Sequence, residues 1–574
     1  MHCSDNFFTR FIQPLYHADS FFTKFIRLAG LFWCVEDQKT QRRTQVLVLF
    51  FLTCLQIALA IITTQWSADL FDALDKHSMS GLFKQVGLII LIFAANIAIT
   101  VKHLKVKRRI QVEWREWLTD YLTGRWMHQG NHYLVTHIKG EHDNPDGRIA
   151  EDVRIATESA IDMAHSLIYN IMMLLSFIAI LWSLSGVVYL GVLPIHGHLV
   201  LLAFLYAGIA SFIGLKIAKP LTAATNHRQT AEADFRFSLV NARENSQAIA
   251  LIHGEDTERQ RFQGLFAGII DAWQQQTRAF SNIMMFTSGY SVLSMAFPAL
   301  VAAPRYILGS ITLGALVQSV QSFQYTISAL SWPVDNTAKI AEWRASVERL
   351  LGLVKALDDL EQELNPADPR WIVFEKSTQS QLILDKVCIT KLNGDHVTSG
   401  LDADIALGDR VLLSGDFNAA SKLFRAILGC RPWGCGHITL PAEPLFYMPP
   451  RPYLPTGSLR AAICYPTDGR YFEQADLEEA LTLVFLPELI EQLDQTDQWF
   501  KILPRETQQR LGLVRLLLVK PQWILLQEAF DSLSQHDEEA ALRLICQQLP
   551  NATLLTISNL PSAIRYHHSQ LILP

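Results

Sequence analysis

The stretch IYNIMMLLSFIAILWSLSG (168–186) runs through nineteen residues without an Asp, Glu, Lys or Arg. A helix of about 20 mostly apolar residues is long enough to cross the hydrocarbon core of a bilayer. Working outward, this run extends back to 164 through His165, and five more apolar runs lie near 46–64, 82–101, 198–218, 283–303 and 307–331. Six membrane-spanning helices are expected. The last two runs are interrupted by Ser, Gln, Pro304 and Arg305. Polar groups inside a membrane rarely face lipid, so these two helices are expected to face a polar cavity or a partner.

The loops give the orientation. The residues before the first run are rich in Lys and Arg and end in QRR (41–43). Lys102, Lys105, Lys107, Arg108 and Arg109 follow the second run, and Lys216, Lys219 and Arg228 follow the fourth. The loop after the first run instead carries Asp69, Asp72 and Asp75, and GVLPIHG (191–197) after the third carries no Lys or Arg. Positive charge collects on the cytoplasmic side, which puts both termini in the cytoplasm with an even number of spans. The first apolar run begins only near Val46, after Asp5, Asp19, Glu36 and Asp37, which is not the layout of a signal peptide.

The whole chain has 574 residues, 50% of them hydrophobic and 18% charged. That balance suits a membrane half joined to a soluble half, and the length calls for more than one core. A net charge of −6 gives no support for nucleic acid as a partner. The eight cysteines are scattered, and Cys430 and Cys435 have no zinc-like spacing beside them, so free thiols in a reducing compartment and no metal are expected. The stretches of about 60 residues between the second and third runs, and between the fourth and fifth, read as helices reaching far into the cytosol. From about 352 the pattern changes. The charged, proline-containing LDDLEQELNPADPRW (357–371) reads as a linker. Beyond it the short runs LILDKVCIT, RVLLSG, LFYM, WILLQ and TLLTIS alternate with helical segments, which predicts an α/β domain with a largely parallel sheet. The expected organisation is a cytoplasmic segment 1–45, a six-helix membrane domain 46–350, a linker 351–376 and an α/β domain 377–574.

Four separated segments carry a resemblance: WREWLTDYLTGRW (114–126), NPDGRIAEDVR (144–154), EADFRFSLVNAREN (232–245) and LGALVQSVQSF with ALSW (313–323, 329–332). In order and placement they resemble the SbmA/BacA-like group of ABC transporters, permeases fused to an ATP-binding domain, and the related peroxisomal fatty-acyl half-transporters of subfamily D. The resemblance covers roughly 45 to 350. It implies an ABC exporter-type fold of six helices plus a C-terminal P-loop-like nucleotide-binding domain, working as a dimer, with a homodimer favoured. It also implies a bacterial inner membrane, with a peroxisomal membrane as the alternative. Within these segments Asn144, Asp146, Arg148, Asp152, Glu232, Asp234 and Arg236 are candidates for transport and coupling. Each also has a plainer reading, Asp146 as a helix-start residue and the others as salt-bridged structural groups. Glu232 and Asp234, placed by the resemblance near the inner end of the fourth span, are the candidates for sensing protons or cargo.

A nucleotide site of this kind needs GxxxxGK[ST]: backbone N–H groups around the phosphates, a Lys on the β and γ charges, a Ser or Thr on Mg²⁺. The strand-like VLLSG (411–415) leads instead into DFNAASKLFRAILGC (416–430). Fitting the flanks leaves the loop one residue short. Gly415 keeps the first glycine position, Ala419 takes the last, Ala420 the lysine position and Ser421 the magnesium position. Lys422 comes one place late, about 100° further round a helix. MPPRPYLPTGSLR (448–460) puts Pro450 where the resemblance expects a Gln. LPRETQQRLGLVRLLL (503–518) puts Pro504 and Glu506 at the serine and glycine positions of the signature segment. WILLQEAFDSLS (523–534) puts Gln527 at the magnesium-associated acid, keeps Glu528 at the general-base position, and puts Ser534 at a further Asp. TISNLP (556–561) puts Asn559 at the switch histidine.

ATP with Mg²⁺ is thus expected from the resemblance, while these residues argue against its binding and hydrolysis. Three functions stay open: transport of a peptide-like or other bulky solute with little or no ATP hydrolysis, coupled to protons as in relatives without an ATPase domain; a conventional ATP-driven transporter; and a non-transporting membrane scaffold or regulator.

Overall fold

The computed structural model describes residues 21–34, 39–137, 144–190, 193–363, 372–377, 379–390, 396–430, 434–558 and 561–573. The chain divides into two compact units, one of residues 1–124 and 141–354, the other of 125–140 and 355–574.

The first unit is helical. Its long elements are α1 (Phe21–Cys34), α2 (Lys39–Asp75), α3 (Met79–Met127, whose last residues fall in the second unit), α4 (Val153–Ser185), α5 (His198–Glu244), α6 (Glu255–Ile307), α7 (Leu313–Asp335) and α8 (Thr337–Glu363, which also runs on into the second unit). Five of them, α2 through α6, are long and apolar enough to cross a membrane. The sixth expected span is α7, a separate helix of 23 residues opened by a Thr312 cap that accepts from the Ala315 N–H. It is more polar because neighbouring helices cover it. Gln318 donates to Gln65 Oε1 at 3.1 Å, Gln321 to Ser67 Oγ at 3.0 Å, and Asp72 accepts from the Gly314 N–H at 2.7 Å. Gly314 has to be glycine: a Cβ there would sit 2.1 Å from the Ala68 carbonyl oxygen. α3, α5 and α6 all run far past their apolar segments, as the sequence suggests.

Two boundaries differ from the sequence reading. Much of the expected linker is helix, because Leu350, Leu353, Leu357 and Leu360 of α8 form one buried stripe at three- and four-residue spacing. Residues 125–140 group with the C-terminal unit, where Arg125 pairs with Asp358 at 2.7 Å and Glu361 at 2.9 Å.

The second unit is α/β. Strands β1 (Val373–Lys376), β2 (Gln381–Thr390), β3 (His396–Ala406) and β5 (Gly434–Leu440) form a mostly antiparallel sheet in the order β1-β5-β2-β3. Strands β4 (Arg410–Gly415), β6 (Leu445–Met448), β7 (Trp523–Gln527), β8 (Thr553–Ile557) and β9 (Ser569–Leu573) form a parallel sheet in the order β9-β4-β8-β7-β6. β7 and β8 are buried along their whole length, as strands covered on both faces must be. Helices α9 (Phe417–Ile427), α10 (Arg505–Val519) and α11 (Gln535–Gln548) pack around this sheet.

Candidate functional site

The parallel sheet brings the sequence-predicted phosphate positions together at the C-terminal ends of β4 and β7. β4 ends at Gly415, Asp416 caps the next helix, and α9 begins at Phe417. One residue therefore separates strand from helix. Gly415 has φ +96°, and a Cβ on it would meet the Leu573 carbonyl oxygen at 2.1 Å. Its need for glycine comes from the end of β9. Asp416 takes the position that most exposes the helix start: its carboxylate accepts from the Asn418 N–H at 2.9 Å. A helix N-terminus carries free N–H groups and partial positive charge, and here the chain's own carboxylate occupies it.

The next turn of α9 carries the remaining positions. Ala419 and Ala420 are fully buried in the apolar core that also holds Phe424, Trp523 and Leu525. Ser421 faces β7, where its hydroxyl oxygen accepts from Gln527 Nε2 at 2.9 Å. Gln527 in turn accepts at Oε1 from the Tyr447 hydroxyl at 2.8 Å. The magnesium position and its associated acid position are thus joined directly, Tyr447–Gln527–Ser421, each group satisfying the next. Burial pushes the Tyr447 phenol up from its ordinary range. Lys422 is half-buried on the following position of α9.

The other predicted positions are likewise engaged. The Pro450 carbonyl accepts from Gln509 Nε2 at 2.9 Å. Gln509 also bonds Asp531, and its Oε1 accepts from the Ser532 N–H at 3.1 Å. Pro504 is the cap residue of α10 and Glu506 sits in its first turn, pairing with Arg510 at 2.9 Å. Arg505 pairs with Asp531 at 2.7 Å. Ser534 caps α11, accepting from the Asp537 N–H at 3.2 Å. Glu528 has φ +44°, and its N–H donates to the Ile557 carbonyl at 2.9 Å. It lines a cavity of about 160 Å³ with Asp531, Glu538, Thr556 and Ser558. Desolvation first, then the neighbouring Asp531 charge, raises the Glu528 pKa above the ordinary carboxylate value, with Arg505 opposing. Asn559 lies outside the described residues.

In the helical unit the candidates fall into two groups. Asn144 precedes a short turn at φ +53°, with Asp146 exposed beside it. Arg148 and Asp152 are buried. Arg148 donates to the Arg349 carbonyl at 2.8 Å, and Asp152 takes Arg349 in a two-pronged pair, one arm at 2.9 Å. These brace α8 against the start of α4. Glu232, Asp234 and Arg236 are exposed on α5. Glu232 lies 14 residues past 218, about 20 Å beyond the apolar run at 1.5 Å per residue. Both stand on the part of α5 that follows its apolar segment. Glu232 pairs with Arg228 at 3.5 Å and borders a cavity of about 760 Å³ walled by Phe235, Phe266 and Trp273.

Sequence reading missed Tyr447, which carries no motif signal, and the capping role of Asp416, which the Asp–x–Asn spacing ahead of an amphipathic run could have suggested. It also left unused a close pair, buried His103 and half-buried His165, the latter one of two His in the apolar runs, with His198.

The helical unit and the α/β sheet together define the membrane region of an ABC transporter joined to a domain of the ATP-binding type. Comparison with known proteins agrees. The family model "ABC transporter transmembrane region 2" matches residues 33–307. An Escherichia coli protein described as an inner membrane ABC transporter ATP-binding protein, YddA, is 28% identical over 94% of this chain and 95% of its own length. The chloroplastic ABC transporter D family member 2 of Arabidopsis thaliana is 26% identical over 95% of this chain and 85% of its own. The structure of a bacterial Atm1-family ABC exporter with ATP bound aligns with a TM-score of 0.69 over 93% of both chains, at 16% identity, which speaks for the fold. The chain is an integral membrane protein of the ABC half-transporter type, related to subfamily D. ATP is the ligand that the Escherichia coli relative's description names.

Proposed function

We propose that this chain is a half-transporter that works as a homodimer in a bacterial inner membrane, both termini cytoplasmic, and moves a peptide-like or other bulky solute with little or no ATP hydrolysis, using the proton gradient as the SbmA/BacA-like permeases do. The observation that carries this reading is the Ser421–Gln527 hydrogen bond beneath a helix capped by Asp416. A bound Mg–triphosphate draws on a loop of free N–H groups, a lysine and an oxygen pair for the metal. These residues do not fit that group. The turn is a single residue, its carboxylate repels phosphate, Ala420 is sealed in the core and Gln527 offers an amide where an acid is needed. No hydrolytic step is assigned to Glu528, whose described cavity neighbours Asp531 and Glu538 are themselves acidic.

Two further observations support the reading. Phe237, Leu251, Ile252, Phe266 and Trp273 are half or more exposed on parts of α5, α6 and the segment between them that lie beyond the apolar runs. Lipid does not reach there, and a second copy of the chain covers such a surface. Glu232, Asp234, Arg236, Asn144 and Asp146 sit on the cytoplasmic extensions, where they serve contact with that copy or with cargo; Arg148 and Asp152 hold the brace to α8.

The test is ATP hydrolysis by the purified chain in lipid beside Glu528→Gln. Turnover that the substitution abolishes would overturn this reading and restore an ordinary ATP-driven transporter. Equal, background rates in both, with solute uptake that rises as an inward proton gradient is imposed, are the expected result. Absence of uptake under any gradient would favour a scaffold.

A further inference from the structure

Four polar residues of α3 stand at intervals of four: His103, Lys107, Gln111 and Arg115. That spacing lines them up on one helix face. Each meets a polar group of α4, taken in descending order as antiparallel helices require. His103 Nε2 lies 2.7 Å from His165 Nε2. Lys107 Nζ lies 3.0 Å from Asp162 Oδ1. Gln111 Nε2 donates to Asp162 Oδ1 and to the Glu158 carbonyl, both at 2.9 Å. Arg115 lies 3.7 Å from Glu158. His103 and Gln111 are buried. The three lower contacts are balanced, cation to carboxylate or amide to acceptor. The first is not, because two bases face each other.

The hydrogens on that pair follow from the donor inventory. The Thr53 hydroxyl of α2 donates to the Leu49 carbonyl at 2.8 Å, so in its 3.1 Å contact with His165 Nε2 the threonine oxygen accepts. His165 Nε2 therefore carries the hydrogen, and His103 Nε2 faces it as an acceptor. One more proton fits without rearrangement, on the far nitrogen of His165. A second puts N–H groups on both Nε2 atoms at 2.7 Å, where neither can accept. The groups around the pair give no relief. Lys107 on α3 adds positive charge, Asp162 on α4 is already shared by Lys107 and Gln111, and α2 offers only Thr53. Tyr169 on α4 stacks 6.3 Å from His165.

We propose that His103 and His165 form a proton-binding site at the cytoplasmic ends of the membrane helices, and that full protonation parts α3 from α4. His103 stands two residues beyond the apolar run 82–101, and His165 stands in the first turn of the run 164–186, so cytoplasmic protons reach both. Two imidazolium groups beside Lys107 repel, and the remaining contacts between the facing stripes are polar ones that water can replace. The site deepens the proton-driven reading and rests on it for its use in transport, but the parting of the helices can be read without transport.

The test uses the full chain in lipid nanodiscs, without nucleotide, with the native cysteines changed to serine and spin labels at Leu104→Cys and Leu167→Cys, two exposed positions on the facing helices. The inter-label distance is measured from about pH 8 to about pH 3.5, well below the ordinary histidine range, because two facing bases beside Lys107 resist the second proton. The expected result is a lengthening by several ångströms on acidification, absent in His103→Gln and in His165→Gln, each of which keeps a polar partner. An unchanged distance in the parent, or the same lengthening in both Gln variants, overturns the proposal. If one Gln variant fails to give a single species, the other decides, and lengthening that persists in it overturns the proposal. Lengthening without any proton-driven uptake would leave the site standing and remove only the transport reading.

Discussion

Two polar clusters of opposite character can be compared, one in each unit. In the α/β unit, Tyr447, Gln527 and Ser421 form a neutral chain in which each donor has its acceptor. In the helical unit, the stripe of α3 against α4 is built of ionisable groups, with one contact left between two bases. A neutral, mutually satisfied cluster has no state to switch to, and adding charge or removing a member only costs stability. A titratable cluster changes its own interactions over a pH range. On the proposed reading, response has moved: the nucleotide positions are held by their own hydrogen bonds, and the group that answers a chemical signal lies among the membrane helices.

The sharpest way to break this comparison is to restore the missing lysine. Ala420→Lys should cost about 4 kcal/mol or more, because the position is sealed in the apolar core and a lysine there is both too large and charged. The measurement is denaturant or thermal unfolding of the full chain in detergent. A variant that folds normally and gains ATP binding would show that α9 can turn its start toward phosphate. Gln527→Leu should come next, at about 2 kcal/mol, since it strips partners from Ser421 and Tyr447 while nearly keeping the volume. The same unfolding curve reads it, and no loss would mean that the two hydroxyls find water.

Much of this was legible beforehand. Runs of apolar residues, charge in the loops and alternating strand and helix segments act locally and leave their period in the sequence, so the helices α2 to α6 and the parallel sheet were expected in place. The polarity of α7 was visible too, but not what covers it: Gln65, Ser67 and Asp72 come from some 250 residues away. The same limit hid Tyr447, whose partner is 80 residues on, and the pairing of His103 with His165 across 62. The helix over 351–363 was missed because its charges and the following proline outweighed the leucine stripe Leu353, Leu357 and Leu360 within the expected linker.

A smaller effect separates the two roles open to Asp416. As a cap it is worth about 1 kcal/mol, so Asp416→Ala should lower the melting temperature modestly. It also uncovers the N–H groups at the start of α9. If the locked reading holds, calorimetric titration with Mg–ATP stays flat in this variant, because Ala420 and the single-residue turn remain. Appearance of binding would make the carboxylate the only lock, and the comparison would narrow to one side chain.

The smallest effect has its sign set by Glu528. Its pKa is raised in the folded chain, chiefly by desolvation and then by Asp531. The folded state therefore holds the proton more tightly than the unfolded state does. Ionisation of Glu528 subtracts stability as pH rises through the range between its unfolded and its folded value, and the full deficit is present above both. Glu528→Gln removes that deficit, so its melting temperature should exceed the parent's slightly at pH 7, and the difference should shrink to nothing as pH falls below the ordinary carboxylate value. Thermal melts of both chains across that range are the check. A functional base held for catalysis would show the same stability gain together with a loss of turnover, whereas a remnant shows the gain alone. Run beside the hydrolysis assay, this pair of readings separates a carboxylate that still works from one that only costs the fold its burial.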